Sequence, residues 1–260
     1  MSYKNLSLDI VGGIGVLSIN RPKTLNALNI ETLHELQRAF QDLSDKEEAR
    51  VIVLTGAGDR AFVVGADISE MKDMTPTEAI GFAQLGHTTL QMIEESEKVV
   101  IAAVNGFALG GGTEIALACD FIFASEKAKL GFPEVTLGVF PGFGGTQRLA
   151  RLIGKARAKE LIFTGTVISA QEAMELGIVN RIFPAQSLME ETRKVAEKIA
   201  ANGPVAVKLA KKAINTGYEG GLKEGCALEA FSFGACFTTM DQKEGMTAFI
   251  EKRKARFQGK

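Results

Sequence analysis

The chain is poor in the side chains that most often build metal sites and nucleophilic triads. It has 260 residues, of which only two are histidines and three are cysteines. His34 and His87 lie far apart, without metal-like spacing and without a serine or cysteine signature nearby. We therefore expect no metal ion and no Ser–His or Cys–His triad, and we expect both histidines on helix surfaces.

An excess of charge of either sign is also lacking. The chain carries 30 lysines and arginines against 31 aspartates and glutamates, a formal net charge of -1. No global field would attract nucleic acid or an anionic membrane. The sequence also contains neither a Walker phosphate-binding loop nor a GxGxxG pattern that follows a strand. We therefore expect no nucleic-acid partner and no membrane partner.

Long apolar runs and secretion signals are missing as well. No run approaches the roughly 18 apolar residues that suggest a membrane-spanning helix. No signal peptide is recognisable. Cys119, Cys226 and Cys236 are an odd number in apolar surroundings, which is typical of reduced core thiols in a cytosolic protein. We expect a cytoplasmic location, although a matrix protein without its transit peptide would look the same.

The most informative stretch begins at Val99 and ends at Arg148. Val99–Val104 is apolar and rich in β-branched residues, which predicts a buried strand. Three glycines follow at positions 110–112, and Thr113–Cys119 is typical of a short buried helix. Backbone N–H groups bare of side chains, at the positive end of a helix dipole, are suited to hold a developing oxyanion.

Two carboxylates accompany these glycines. Glu114 falls in the first turn of the predicted helix, and Glu134 follows Pro133 in another apolar setting. Either carboxylate alone is more often structural, as a first-turn residue or a loop acceptor. Their combination with the glycine-rich turn Gly142–Gly145 favours general acid/base chemistry on a carbonyl compound.

The remaining pattern predicts alternating strands and helices, and helices alone from Leu188 onward. Leu6–Ile10 and Gly15–Ile19 are expected to form a hairpin. Further strands are predicted at Val51–Thr55, Ala61–Val64, Phe121–Ala124 and Ile178–Ile182. Helices are predicted at Ile30–Leu43 after the cap Asn29, at 146–153 and 156–163, and after the capping boxes that begin at Thr75 and Ser169.

Several motifs resemble the enoyl-CoA hydratase/isomerase (crotonase) family, and particularly its short-chain bacterial hydratases. The matching pieces keep the family's order and spacing and extend over essentially the whole chain. They are NRPKTLNALN (Asn20–Asn29), GADISEM (Gly65–Met71), AAVNGFALGGGTE (Ala102–Glu114), PEVTLGVFPGFGGTQRL (Pro133–Leu149) and AFIEKRK (Ala248–Lys254).

The resemblance implies an α/β fold built as a spiral of repeated ββα units, a repeat that the sequence hides. Residues 1–200 would form the spiral core with the active site. Residues 201–260 would form a helical region that makes trimers, or dimers of trimers, and the aromatic residues of this region fit such contacts. The helix that begins after Thr75 would wall the acyl pocket.

The resemblance also implies the activity, a hydro-lyase reaction that adds water reversibly to a trans-2-enoyl-CoA in β-oxidation or short-chain acyl-CoA metabolism. Glu114 and Glu134 would be catalytic, and the N–H groups of Ala66 and Gly111 would form the oxyanion hole. No cofactor is implied beyond the coenzyme A of the substrate. The implied substrate and coenzyme A contacts are Lys23, Ala27, Ala66, Asp67, Ile68, Ser69, Gly111, Phe249 and Lys252.

Two alternatives stay open. An isomerase of the same family is one, although isomerases often lack a carboxylate at the position of Glu114. A non-catalytic RNA-binding homologue is the other, although the helix at 30–43 carries mixed charges rather than a basic face. Phe132, where many hydratases have glutamine, and the polar Thr113 depart from the family pattern and bear on substrate preference.

Overall fold

The computed structural model describes residues 3–260, which form two sheets. The larger has six strands in the order β1-β2-β3-β5-β7-β10, and the smaller has four in the order β4-β6-β8-β9. All pairings are parallel except β1–β2 and β8–β9. The strands are β1 (Leu6–Val11), β2 (Ile14–Ile19), β3 (Val51–Gly56), β4 (Ala61–Val63), β5 (Val99–Val104), β6 (Phe107–Leu109), β7 (Phe121–Ser125), β8 (Lys129–Gly131), β9 (Val167–Ser169) and β10 (Arg181–Phe183).

Eleven α-helices surround the sheets within residues 3–260, with 3₁₀ turns at Pro22–Thr24 and Pro133–Leu137. The α-helices are α1 (Ile30–Ser44), α2 (Ile68–Met71), α3 (Pro76–Glu94), α4 (Gly111–Ala118), α5 (Gly145–Ile153), α6 (Lys155–Thr164), α7 (Ala170–Glu175), α8 (Leu188–Ala200), α9 (Pro204–Glu219), α10 (Leu222–Cys236) and α11 (Met240–Ile250).

A repeated unit organises the core, as the family resemblance implied. Strands β3, β5 and β7 lie side by side in the large sheet, and each is followed in the chain by β4, β6 or β8 of the small sheet. A helix follows each pair: α3, after the short α2, then α4 and α5. The predicted α/β spiral of ββα units is therefore confirmed.

The central strands are buried on both faces because helices cover both sides of the large sheet. Every residue of β3 and β5 is buried. Val51 and Val53 belong to the apolar cluster that packs against α8, whereas Ile52 and Leu54 point into the main core. Continuous apolar runs are what such doubly covered parallel strands require.

Local signals placed most helix starts correctly. The Asn29 side chain accepts a hydrogen bond from the N–H of Thr32 at 2.9 Å and so caps α1. Thr75 and Ser169 each form a complete capping box, at the starts of α3 and α7. The hairpin β1–β2 also forms as predicted, with Leu6 opposite Ile19.

Three local predictions were wrong. Helix α4 begins at Gly111 rather than Thr113, because the second and third glycines form its first turn. The strand predicted at Ile178–Ile182 is limited to Arg181–Phe183, since residues 178 and 179 donate hydrogen bonds to the carbonyl of Ala173. Cys226 is exposed rather than a core thiol, because α10 packs against α9 and leaves much of its own apolar surface open.

The hydroxyl of Thr113 explains why a polar residue is tolerated inside helix α4. Thr113 is 1% exposed. Its hydroxyl donates toward the carbonyls of Ala108 at 2.6 Å and Gly131 at 3.1 Å, and it accepts from the N–H of Gly131 at 3.2 Å. One side chain therefore joins α4 to both β6 and β8, a structural role within the core.

We expect Thr113→Val to destabilise the fold. Valine keeps the shape but leaves the strand carbonyls and the N–H of Gly131 without their buried partner, which costs about 1–3 kcal/mol. Urea unfolding followed by circular dichroism measures the loss. Thr164→Val is the matched control, because Thr164 is exposed at the end of α6; equal losses in the two variants would contradict the role assigned to Thr113.

Candidate active site

The start of helix α4 presents unpaired backbone donors. Gly110 has a φ of 50°, which glycine adopts without strain, and the helix begins at the next residue. The first N–H groups of a helix have no carbonyl partner within it. Among residues 3–260, none accepts a hydrogen bond from the N–H of Gly111, which is therefore available to a ligand.

A second free donor lies on the segment after strand β4. Leu28 forms an isolated parallel bridge with Ala66: its N–H donates to the carbonyl of Gly65, and its carbonyl accepts from the N–H of Asp67, both at 2.8 Å. The amide between these two bonds therefore faces away from Leu28. Within the described chain, the N–H of Ala66 has no hydrogen-bond partner.

Glycines let these two segments touch. A Cβ at Gly112 would lie 2.0 Å from the carbonyl oxygen of Val63, so no other residue fits there without displacing the backbone. A Cβ at Gly65 would lie 3.8 Å from the amide nitrogen of Gly111. Backbone packing therefore brings together the segments that carry the Ala66 and Gly111 donors, which lie 45 positions apart in the sequence.

The carboxylate of Glu114 is buried beneath the glycine-rich turn that follows the 3₁₀ turn. Glu114 is 2% exposed. One of its oxygens, Oε1, accepts hydrogen bonds from the N–H of Phe143 at 2.8 Å and from the N–H of Gly145 at 2.7 Å. A Cβ at Gly145 would lie 2.9 Å from that oxygen, so glycine is needed for the turn to approach so closely. The turn thus fixes the carboxylate by its backbone.

Glu134 approaches from the 3₁₀ turn Pro133–Leu137. Its Oε1 lies 2.5 Å from the position that a Cβ on Gly110 would occupy, so the carboxylate rests on the glycine before helix α4. Its Oε2 is buried and has no hydrogen-bond partner among residues 3–260. A buried oxygen without a partner is costly unless a ligand or water supplies one.

Both carboxylates hold protons more tightly than free glutamate does. Burial first, and then the neighbouring charge of Glu134, raise the pKa of Glu114 to about 7, although the two backbone hydrogen bonds lower it. Burial also raises the pKa of Glu134. Because the two groups interact, the first to lose its proton makes the second harder to ionise. At neutral pH the pair can therefore supply one acid and one base.

The predicted coenzyme A contacts separate into two groups. Lys23 is exposed in the 3₁₀ turn Pro22–Thr24, and Ala27 is buried beside the bridge to Ala66. Ile68 and Ser69 are exposed on α2, next to that bridge. These residues therefore border the donor segment, as the resemblance implied, although their contact with a ligand stays a prediction.

The carboxylate of Asp67 is occupied within the protein. It accepts hydrogen bonds from the hydroxyl of Ser69 at 2.6 Å and from the Arg21 guanidinium at 3.1 Å. These bonds, that of Ser69 first, hold its pKa below the usual range. Its side chain ties two loops together, and its backbone N–H completes the bridge to Leu28.

Phe249 and Lys252 stand apart from the other predicted site residues. Phe249 is exposed on α11, and Lys252 follows that helix with a positive φ of 57°. Within residues 3–260, no hydrogen bond or ion pair connects either one with the carboxylates or the donor segments. Their assignment to a coenzyme A site stays a prediction, which a neighbouring subunit would have to complete.

Sequence reasoning missed the residues that hold Glu114 in place. It used the turn at 142–145 only as bare backbone, whereas Phe143 and Gly145 are the donors. It also missed Arg148, which donates to the carbonyl of Phe143 at 3.1 Å, and Glu94, which holds Arg148 at 2.7 Å. Arg148 follows the glycine-rich turn closely, so its position in the sequence could have indicated a role. Nothing in the sequence indicated that Glu94 on α3 would be its partner.

The sequence also predicted that the chain has no metal site and no membrane-spanning helix, and that its histidines lie on helix surfaces. Among residues 3–260, no group of three or more His, Cys, Asp or Glu side chains is placed to hold a metal ion. Across the same residues, no helix has both the length and the apolar character needed to cross a bilayer. His34 and His87 are exposed on α1 and α3, as predicted.

Comparison with known proteins agrees with this geometry. A short-chain-enoyl-CoA hydratase of Clostridium acetobutylicum is 51% identical over 98% of this chain and 97% of the relative. A crotonyl-CoA hydratase of Syntrophomonas wolfei is 49% identical over 99% of both chains. The crystal structure of an enoyl-CoA hydratase from Bacillus anthracis matches with a TM-score of 0.96 and 45% identity, covering 99% of this chain and 100% of that one.

The family assignment follows from the fold, the carboxylate pair and these relatives together. The family model described as enoyl-CoA hydratase/isomerase matches residues 9–260. The chain belongs to the enoyl-CoA hydratase/isomerase family.

Proposed function

We propose that the protein is an enoyl-CoA hydratase, a hydro-lyase of fatty acid metabolism that adds water reversibly to a trans-2-enoyl-CoA to give a 3-hydroxyacyl-CoA. The observation that carries the proposal is the pair of carboxylates, the buried Glu114 and the half-buried Glu134, beside two backbone N–H groups that have no partner among residues 3–260. The relatives named as short-chain-enoyl-CoA and crotonyl-CoA hydratases support the same reaction.

The two backbone donors would activate the substrate. The thioester oxygen of the enoyl-CoA would accept hydrogen bonds from the N–H groups of Ala66 and Gly111. Attack at Cβ moves electron density onto this oxygen, so the donors stabilise the enolate-like transition state more than the ground state. Removal of one such donor typically costs about 3–4 kcal/mol.

The carboxylates would handle the protons of one water molecule. Glu114, as the carboxylate, would take a proton while the water oxygen attacks Cβ. Glu134, as the acid, would deliver a proton to Cα on the same face, which gives syn addition. The unpartnered Oε2 of Glu134 is the oxygen free to hold that water. A general acid or base is most effective when its pKa lies near the pH at which the enzyme works.

Two other functions are less well supported. An isomerase would shift the double bond with one carboxylate, so it gives no reason for two carboxylates that interact across one space. An RNA-binding protein would present a basic face, but the chain has a formal net charge of -1. Filter binding with a salt titration would detect such binding.

We further propose that the protein acts in the cytoplasm as a trimer, or as a dimer of trimers, without a cofactor beyond the coenzyme A of its substrate. The helices after residue 200 expose large apolar side chains; Leu222 is 86%, Phe231 81% and Phe249 85% exposed. Large apolar side chains exposed together in one region of the chain favour an interface. Phe249 and Lys252 would reach the adenine end of a neighbour's coenzyme A site.

Replacing either carboxylate by its amide should abolish most of the hydration of crotonyl-CoA. Glu114→Gln and Glu134→Gln keep the size of the side chain but remove acid/base function, which is worth about 10²–10⁴-fold in turnover. Since both act on one water, the double variant should be little slower than the slower single variant. The measurement is kcat by loss of enoyl absorbance, alongside calorimetric binding of a coenzyme A ligand, which should change little.

Glu160→Gln, at an exposed position of α6, is the control and should keep the wild-type rate. Near-normal hydration by either single variant would refute the two-carboxylate mechanism. Loss of solvent-deuterium exchange at Cα in Glu134→Gln would locate the acid. Normal hydration in Glu114→Gln alone would point to single-carboxylate, isomerase-type chemistry.

The burial of Glu114 should lower stability at higher pH. Its pKa is about 7 in the folded protein, raised from 4.5. The folded state therefore holds the proton more tightly, and stability is lost as pH rises from about 4.5 to about 7. The free energy of unfolding of Glu114→Gln, taken relative to wild type, should therefore be higher at pH 8 than at pH 5 by about 2 kcal/mol.

Urea unfolding at the two pH values measures this difference, with Glu175→Gln at an exposed position of α7 as the control. The control should change stability equally at both values. If Glu114→Gln also changed stability equally at both pH values, its surroundings would not favour the protonated form of the carboxylate.

The apolar face of the C-terminal helices should hold the subunits together. Light scattering at micromolar concentration should give a mass of three or six chains, and Phe231→Lys should shift it toward the single chain because a charge cannot be buried there without a partner. Val11→Lys, on the exposed end of β1, should leave the mass unchanged. A wild-type monomer would disprove the proposed assembly.

A further inference from the structure

The ion pair between Arg148 and Glu94 contacts the turn at residues 143–145, which binds Glu114. Arg148 lies on α5, and Glu94 is the last residue of α3. The Arg148 Nε and Nη2 atoms donate to Oε2 of Glu94 at 3.1 and 2.7 Å, and Nη1 donates to the carbonyl oxygen of Phe143 at 3.1 Å. Three hydrogen bonds therefore fix the plane of this guanidinium.

The guanidinium and the Glu114 carboxylate bind the same short turn through different groups. Phe143 donates its N–H to Glu114 and accepts from Arg148 through its carbonyl. The N–H of Gly145, two residues on, completes the pair of donors to Glu114. The position of the carboxylate is consequently tied, through one residue of backbone, to the position of the guanidinium.

The turn is shaped to admit this guanidinium. A Cβ at Gly144 would lie 2.4 Å from Nη1 of Arg148, and the φ of Gly144 is 106°, a value that favours glycine. The Arg148 side chain is 18% exposed and that of Glu94 is 44% exposed. A partly buried arginine with three bonds in place is held far more firmly than a surface ion pair.

We propose that Arg148, held by Glu94, is a positioning residue that sets the placement of Glu114 through the turn at residues 143–145. This inference rests on the proposed function, in which Glu114 is the base that acts on water. Arg148 would not touch the substrate. Its role would be to keep Phe143 and Gly145 aimed at one oxygen of Glu114, so that the other oxygen stays directed at the water.

The charge of Arg148 works in the same direction as its geometry. The guanidinium lowers the pKa of Glu114, whereas burial and Glu134 raise it. Glu94, which pairs with Arg148, and His87 on α3 are titratable groups near this turn, and Nδ1 of His87 lies 3.8 Å from the Cβ position at Gly144. Removing the guanidinium should therefore loosen the turn and favour the protonated form of Glu114.

Two substitutions separate position from charge. Arg148→Met removes the donors and the charge, and we expect kcat for crotonyl-CoA hydration to fall roughly 10- to 10²-fold with little change in KM, because a small misplacement of a catalytic group is costly. The acidic limb of the pH–rate profile should move to higher pH. Arg148→Lys keeps the positive charge but loses the several N–H donors of the guanidinium. Its kcat should therefore fall, while the acidic limb of its pH–rate profile stays closer to the wild-type position.

Arg151→Met is the matched control. Arg151 lies on the same helix, and its exposed side chain contacts Glu219 at 3.8 Å and donates to the carbonyl and side-chain oxygens of Gln147 at 3.3 and 3.1 Å. None of these contacts involves the turn at residues 143–145. Arg151→Met should keep the wild-type kcat and pH profile, and urea unfolding should show whether each variant is folded under the assay conditions. If Arg148→Met does not fold, Glu94→Gln tests the same tie, with an expected smaller loss of kcat because Arg148 remains.

A second readout does not depend on hydration. Carbon-13 NMR of the side-chain carboxyls, with Glu114→Gln used for assignment, follows the titration of Glu114 in the free protein. Its midpoint should rise in Arg148→Met and stay unchanged in Arg151→Met. If the wild-type protein hydrates no enoyl-CoA, the proposed function fails and this titration still tests the tie. A wild-type kcat together with an unmoved midpoint in Arg148→Met would overturn the inference.

Discussion

The burial of one carboxylate under two backbone donors is the constraint on which the rest of the site depends. An ionised Glu114 in an apolar core is tolerated because the N–H groups of Phe143 and Gly145 donate hydrogen bonds to its Oε1. Two bonds do not cancel the burial, and its pKa remains near 7. The group is thereby kept at the point where it can give or take a proton at physiological pH.

The spiral of ββα units supplies this constraint through close backbone contacts. Each unit ends one strand of the small sheet next to a helix start or a turn. Gly112 allows helix α4 to touch the backbone of Val63, and Gly145 allows its turn to approach the Glu114 carboxylate. Thr113 ties helix α4 to the small sheet from within. Glu114 and the Gly111 donor therefore sit on helix α4, and the Ala66 donor is held by the bridge to Leu28, which suits groups that must be held in place.

Much of the fold could be read from local signals, because capping boxes, glycine turns and apolar runs act within a few residues. The caps at Asn29, Thr75 and Ser169 formed as predicted, and the motif at 102–114 led to Glu114. The start of α4 was misplaced because glycine has weak helix propensity, which tertiary packing overrode. The tie from Glu94 to Arg148 could not be predicted, because it joins residues on different helices that only the fold brings together.

One aromatic residue carries two duties that cannot be separated. The backbone of Phe143 donates to Glu114, while its ring packs edge-on against Phe82 with centroids 5.2 Å apart and fills the space left by Gly86, where a Cβ would lie 2.0 Å from the ring. Any enlargement at position 86 would push the ring, and the ring would push the turn that holds the carboxylate. Evolutionary change at these two positions is consequently constrained in its order: a smaller residue at position 143 has to come before a larger one at position 86.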